Sequence, residues 1–336
     1  MSALTRKQKL GTWLAHIFPD ELLNIAPLSG DAGFRVYYRL ILDENSYIIV
    51  DAPPEKLNNL AFVSLAHSFR SSGLIVPEII HYDEANGFMC LSDFGDVLLS
   101  DKLDETTIAA LYEKAIKLLP KIQKVSAQEQ WPLPVYDAPF LQLEVDIFSD
   151  WLVHKHLNIS LTIDETKQLQ QCFDLLIASA LEQPQVTVHR DFHSRNLMLI
   201  ASGDIAVIDF QDAVKGPFTY DLVSLLRDCY VRWEDELIEP HVHNYYLNNK
   251  VDVSYQQFTR WFDFMGLQRH IKASGIFARL YHRDGKSGYL KDIPLTLSYI
   301  IDIAAKYPEL TFLSNLVKSK VLPSITKLAS QQKARV

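Results

Sequence analysis

Residues 188–212 read VHRDFHSRNLMLIASGDIAVIDFQD, and the fold turns on this stretch. Asp191 and Asn196 stand five apart in a polar loop. Two short apolar runs follow, joined by Ser202-Gly203-Asp204, a pattern that predicts a β-hairpin with a glycine turn. Asp209 ends the second run, so the hairpin can return a second carboxylate to the mouth where the first begins. Polar residues that merely satisfied turns would not ordinarily combine a carboxylate, an amide and a second carboxylate in this order.

That combination suits phosphoryl transfer from ATP, which needs positioning and electrostatic support more than covalent help. Asp191 suits the base that orients an attacking hydroxyl and takes its proton. Asn196 and Asp209 suit Mg²⁺, a cation that prefers hard oxygen donors and few protein ligands.

Upstream, GDAGFRVYYRLILDENSYIIVDAPPE predicts a glycine-containing turn and two or three strands, with D-E-N as a hairpin turn. KLNNLAFVSLAHSFRSSG predicts a helix whose apolar face holds Leu57, Leu60, Ala61, Leu65 and Phe69. PEIIHYDE and GFMCLSD predict two more strands. Beyond residue 100 the pattern turns helical. Asp104 is placed to cap DETTIAALYEKAIKLL, and FLQLEVDIFSDWLVHKHL and ETKQLQQCFDLLIASAL are amphipathic. The expected fold class is α+β. A small β-rich lobe over 1–94 precedes a larger, mostly helical lobe over 95–336.

The net charge of −8 argues against a general nucleic-acid or anionic-membrane surface. No run approaches the roughly 18 apolar residues of a membrane span, and the N-terminal stretch lacks the continuous apolar core of a signal peptide. Cys90, Cys172 and Cys229 are widely spaced and read as reduced, buried thiols of a cytoplasmic protein. His241 and His243 lack a nearby third ligand and read as surface or capping residues.

The loop and hairpin resemble the aminoglycoside phosphotransferase-like branch of the protein-kinase-like superfamily. Its H-x-D-x-x-x-x-N and I-D-x-x motifs fall here on His189, Asp191, Asn196 and Ile208-Asp209. The resemblance implies a bilobal kinase fold, with ATP and Mg²⁺ as cofactors, in which the 1–94 lobe binds nucleotide and ends in a hinge and the 95–336 lobe carries the catalytic loop, metal site and acceptor site. It makes His189 structural, and gives Asp221, in GPFTYD, the part of a buried anchor for the loop. His193 and Arg195 approach phosphate or substrate, or support the loop. Asp93-Phe94-Gly95 falls at the hinge by chain order, so its D-F-G is a chance match and the working metal motif is the later one.

Such enzymes usually carry a lysine on the third strand to hold the α- and β-phosphates. Here that strand reads SYIIVDAPPE, and the nearest lysine, Lys56, lies beyond two prolines. Either Arg35 or Arg39 supplies the charge, or the protein is a non-catalytic relative. Gly30, Asp31 and Gly33, in LSGDAGF, are placed to cover the phosphates, and Asp93 belongs to the nucleotide site through the hinge.

Only a few residues separate Asp209 from GPFTYD, too few for a long peptide-docking activation segment. A small-molecule hydroxyl is the better acceptor. GLQRHIKASGIFARLYHRDGKSG holds Arg269, Lys272, Arg279, Arg283 and Lys286 against one acid, Asp284. Read as an acceptor lining, it suits a neutral or anionic substrate and makes Arg269, Arg279 and Arg283 candidates; read as a solvated face, it carries no function. SGDAGFRVYYRL, DAPPE, HRDFHSRNLM and FMGLQRHIKASGIFARLYHRDGKSGYL, in this order, are similar to the bacterial anomeric kinases of amino sugars, which share D-A-P-P in place of the lysine strand. That resemblance implies N-acetylmuramate or N-acetylglucosamine as the partner small molecule, a sugar 1-phosphate as product, and a place in cell-wall recycling. Kinases of choline, aminoglycosides or ketosamines remain the alternatives.

Overall fold

The computed structural model describes residues 4–19, 21, 23–28, 34–126 and 131–333. In chain order the strands are β1 (Ile25–Pro27), β2 (Val36–Leu42), β3 (Asn45–Asp51), β4 (Ile79–Asp83), β5 (Phe88–Ser92), β6 (Gln185–Val188), β7 (Leu197–Leu199), β8 (Ile205–Val207) and β9 (Val214–Pro217). The helices are α1 (Arg6–Ile17), α2 (Asn59–Ser71), α3 (Ile108–Ile116), α4 (Leu119–Gln123), α5 (Ala138–Ile147), α6 (Ile163–Leu181), α7 (Tyr220–Leu226), α8 (Asp235–Asn249), α9 (Tyr255–Asp284), α10 (Ile293–Ala304), α11 (Thr311–Leu316) and α12 (Leu322–Lys333). No helix among the described residues is long and apolar enough to cross a membrane.

The chain divides into two compact units. The first comprises residues 1–102, 125–132 and 195–212, and so extends past the expected 1–94 lobe by taking in the β7–β8 hairpin. Its five-stranded sheet has the order β1-β2-β3-β5-β4, with β2 paired antiparallel to β3 in the register Tyr38↔Ile49. β-Branched and aromatic residues favour these strands, and their inward positions Leu40, Ile49, Phe88 and Cys90 pack against Leu10 and Leu14 of α1. Asn58 caps α2 by accepting from Ala61 N at 3.1 Å. Its buried face runs Phe62, Leu65, Phe69, whereas Leu60, expected inside, is 44% exposed. The helix starts at Asn59, and that phase gives Phe62 the inward position.

The second unit comprises residues 103–124, 133–194 and 213–336. Thr107, not Asp104, precedes α3; Asp104 instead accepts from Thr106 N at 2.8 Å and Thr107 N at 2.9 Å, closing a turn just before it. α6 opens with a capping box between Thr162 and Glu165. The amphipathic run 140–157 begins as α5 and continues from Phe148 to His156 as π-helix. α9 is closest at this junction: a Cβ added to Gly275 would sit 2.5 Å from the Ile147 carbonyl oxygen, so only glycine allows the approach. The three cysteines are free and buried. His241 and His243 meet the rings of Tyr112 and Tyr255 edge-on.

Candidate active site

In the sheet-bearing unit, the β7–β8 hairpin pairs Leu197 with Val207 and turns at Gly203, whose φ of +82° favours glycine. The hairpin is tied to its surroundings by Leu199 N donating to Val97 O (2.9 Å) and Val207 N to Ile75 O (2.8 Å). Ile208 N donates to Asn196 O at 3.1 Å, which brings the two ends of the hairpin together. Asp209 then adopts φ +65°, a left-handed conformation uncommon outside glycine. The next residue, Phe210, is fully buried and stacks on Phe62 (5.1 Å) and Phe69 (5.5 Å). Packing of that ring holds the turn that presents the Asp209 carboxylate.

Asn196 Nδ2 donates to Asp209 Oδ2 at 3.3 Å, and Gln211 Nε2 donates to Oδ1 at 2.7 Å. A carboxylate and a side-chain amide at this separation fit a cation that takes few protein ligands and keeps phosphate and water oxygens. Coordination by both residues requires the Asn196 amide to turn its oxygen, rather than its nitrogen, toward the shared position.

These residues line one end of a cavity of about 640 Å³ within the same unit. Leu28, Ile48, Leu91, Met198 and Ile208 supply apolar walls, and Asp93 to Asp96 form one border. An apolar slot with a polar end suits a nucleotide base and its phosphates. Arg35 also lines it; its guanidinium lies 5.3 Å from the Phe62 ring centre, and its buried Nε has no hydrogen-bond partner among the described residues. Arg39 is committed elsewhere. It donates to Asp93 through Nε (2.6 Å) and Nη2 (3.1 Å), and to Asp96 through Nη1 (2.8 Å). Asp93 also accepts from Ser46 and from Gly95 N. Burial pushes the Asp93 carboxyl up, but Arg39, Ser46 and the Gly95 amide together hold it below the usual range. Asp93 thus organises the segment after β5. Gly30, Asp31 and Gly33 lie outside the described residues.

The helical unit holds Asp191. Asp221, at the start of α7, accepts from His189 N (2.7 Å) and Arg190 N (3.0 Å), fixing the loop's backbone. Burial pushes the Asp221 carboxyl up to about 7 against the pull of those two amides. Asp191 N donates to His189 Nδ1 at 3.2 Å. Ser194 donates to Asp228 through both N and Oγ. Arg190 sits at φ +77°, and Arg269 Nη1 donates to its carbonyl at 2.7 Å.

Glu144, on α5, was not singled out by sequence. It is 4% exposed, pairs with Arg190 and with Lys272 (2.9 Å), and accepts from Tyr136 OH and Gln268. Burial raises its carboxyl, but Lys272 and then Arg190 outweigh burial and hold it at about 2. The same cations govern Asp191. Burial pushes that carboxyl up, while Lys272, His193, Arg190 and Arg269 together hold it below the usual range, so it is ionised at neutral pH. No spacing rule links Glu144 to a loop some fifty residues later; only packing does.

The basic run 266–288 is therefore not one solvated face. Arg269 is buried over the Tyr220 ring at 4.6 Å. Arg283 is exposed and makes a two-point pair with Asp284, both distances 2.8 Å. Arg279 is half-buried, with its Nε unpartnered among the described residues. His193 packs edge-on against Tyr230 at 5.4 Å, and Arg195 lies in the 3₁₀ turn Ser194–Asn196.

A model described as the phosphotransferase enzyme family matches residues 24–256. The chain belongs to this family. Among its relatives, the N-acetylmuramate/N-acetylglucosamine kinase of Neisseria meningitidis serogroup B is 38% identical over 317 residues, covering 91% of this chain and 93% of the relative. The protein of the same name from Pseudomonas aeruginosa is 37% identical over 334 residues, covering 95% and 98%. Among solved structures, choline kinase from Streptococcus pneumoniae is similar with a TM-score of 0.64 at 13% identity, covering 89% of this chain and 99% of that one. That likeness establishes the protein-kinase-like α+β fold of this phosphotransferase.

Proposed function

We propose that this phosphotransferase is an ATP-dependent kinase of amino sugars. It transfers the γ-phosphoryl group to the anomeric hydroxyl of N-acetylmuramate and N-acetylglucosamine and yields the sugar 1-phosphate, as a step in cell-wall recycling. The observation that carries this reading is similarity to kinases named for those two sugars over 91% and 95% of the chain. Asp191 orients the anomeric hydroxyl and accepts its proton. A carboxylate held ionised by neighbouring cations is a weak base, and an anomeric hydroxyl is more acidic than an ordinary alcohol, so the two are matched. Asn196 and Asp209 would hold Mg²⁺, which neutralises phosphate charge when bound. The apolar cavity after β5 takes the adenine, and Arg35, in place of the absent strand lysine, faces the phosphates. His189 and Asp221 hold the loop, with His193, Arg195 and basic residues of α9 toward the acceptor. The protein acts in the cytoplasm, where ATP is available.

The test is ADP release from Mg-ATP across a panel of N-acetylmuramate, N-acetylglucosamine, choline, a ketosamine and an aminoglycoside, with the product identified by phosphorus NMR. The expected outcome is turnover of the two amino sugars to 1-phosphates. Turnover confined to another alcohol would replace the acceptor assignment. Nucleotide binding without turnover of any acceptor, or no nucleotide binding, would make the protein a non-catalytic relative.

A further inference from the structure

Arg279 is a half-buried cation of α9 whose Nε is buried without a hydrogen-bond acceptor among the described residues. The acids whose charge reaches it, Asp284 and Glu144, already have partners. Asp284 is held by the fork of Arg283, and Glu144 by Arg190 and Lys272. Among the described residues no ion pair includes Arg279, and its Nε is buried without an acceptor. Burial also lowers its proton affinity, whereas for Arg190 and Arg269 the surrounding anions outweigh burial and raise it. A half-buried guanidinium whose Nε has no acceptor, and whose neighbouring acids are already paired, is free to take the carboxylate of a ligand.

Its place on α9 says where that ligand lies. Arg279 follows Lys272 by two helical turns on the same face, roughly 10 Å along the axis. Between them Gly275 brings α9 against the end of α5. Side chains on a helix lean toward its N-terminus, so Arg279 leans back toward Lys272 and Glu144, consistent with the reach of the Glu144 charge. Lys272 is in turn the largest cationic influence on Asp191. The unpaired guanidinium thus sits two helical turns along α9 from the cation with the largest influence on the proposed base.

Resting on the function proposed above, we infer that Arg279 binds the lactyl carboxylate of N-acetylmuramate and sets the preference between the two sugars. N-Acetylglucosamine lacks that carboxylate, and the two acceptors otherwise share the ring and the anomeric hydroxyl. The planar fork of arginine suits two-point recognition of a carboxylate.

The experiment compares kcat/KM for both sugars in wild-type, Arg279→Gln and Arg279→Lys full-length protein, with a thermal melt of each. The expected result for Arg279→Gln is a fall of about 10–100-fold in the N-acetylmuramate to N-acetylglucosamine ratio, the size of a charged hydrogen-bond pair. The fall should be carried mainly by KM for N-acetylmuramate. Arg279→Lys keeps the charge without the fork and should fall between; it carries the test alone should the glutamine variant not fold. A ratio within about twofold of wild type in the folded variants, or wild-type protein that uses N-acetylglucosamine and rejects N-acetylmuramate, overturns this inference alone. Wild-type protein inert toward both sugars overturns the proposed function and this inference with it.

Discussion

Replacing Glu144 by Gln removes the carboxylate that pairs with both Arg190 and Lys272 and keeps the side chain's shape. The side chain of Glu144 is 5% exposed, and those of Arg190 and Lys272 are 15% and 13% exposed. Removing the shared carboxylate from so buried a cluster leaves both cations without their ion-pair partner, and such changes cost about 3–5 kcal/mol. For a chain of this size that corresponds to a melting temperature lower by roughly 4–7 °C. Urea unfolding with linear extrapolation measures the difference directly, provided the slope is unchanged. The pH dependence gives an independent reading. The folded protein holds the Glu144 carboxyl at about 2, below the ordinary glutamate value of 4.5. A depressed carboxyl contributes stability that is fully present above the unfolded pKa and lost as pH falls through the folded one. The gap between wild type and variant should therefore be constant above about pH 4.5 and narrow from there toward about pH 2. Adding Lys272→Met to Glu144→Gln should recover part of the loss, since one stranded cation is removed with its partner. A difference below about 1 kcal/mol at neutral pH, or a gap that does not narrow in acid, would refute the claim that Glu144 is the counter-ion of Arg190 and Lys272 beside the loop that carries Asp191.

Other outcomes follow from the same geometry. Asp191→Asn should lower kcat by a factor on the order of 10³ or more while leaving the Kd for Mg-ATP within about twofold, measured by single-turnover kinetics and calorimetry; retained turnover would remove Asp191 as the base. Arg35→Gln should raise KM for ATP about tenfold and leave KM for the sugar unchanged, because a charged hydrogen bond to phosphate is lost; a change confined to the sugar would place Arg35 elsewhere. Gly275→Ala forces a methyl against the Ile147 carbonyl 2.5 Å away, so stability should fall by about 1–3 kcal/mol in denaturant melts.

The fold was largely legible because its signals are local. β-Branched and aromatic residues in VYYRLIL and SYIIV, helical periodicity beyond residue 100 and the glycine turn at 203 each depend on neighbours a few positions away. The π-helical stretch after α5 was not legible; its start is approached by the distant Gly275, a contact that no local pattern records. The two candidate phosphate cations could not be separated either. Arg39 and Arg35 lie four residues apart, yet only the three-dimensional arrangement gives Arg39 to Asp93 and Asp96 and leaves Arg35 Nε without an acceptor among the described residues.

Sequence by itself determined the chemical inventory: Asp191, Asn196 and Asp209 in order along the chain, and the family to which that order belongs. Tertiary structure alone decided which charges are spent on each other. The run 266–288 counts five cations against one acid, but Glu144, from a helix more than a hundred residues earlier, neutralises Lys272 and Arg190 and leaves Arg279 unpaired among the described residues. Charge compensation acts through space over a few ångströms, and a linear sequence does not record which distant residues come that close.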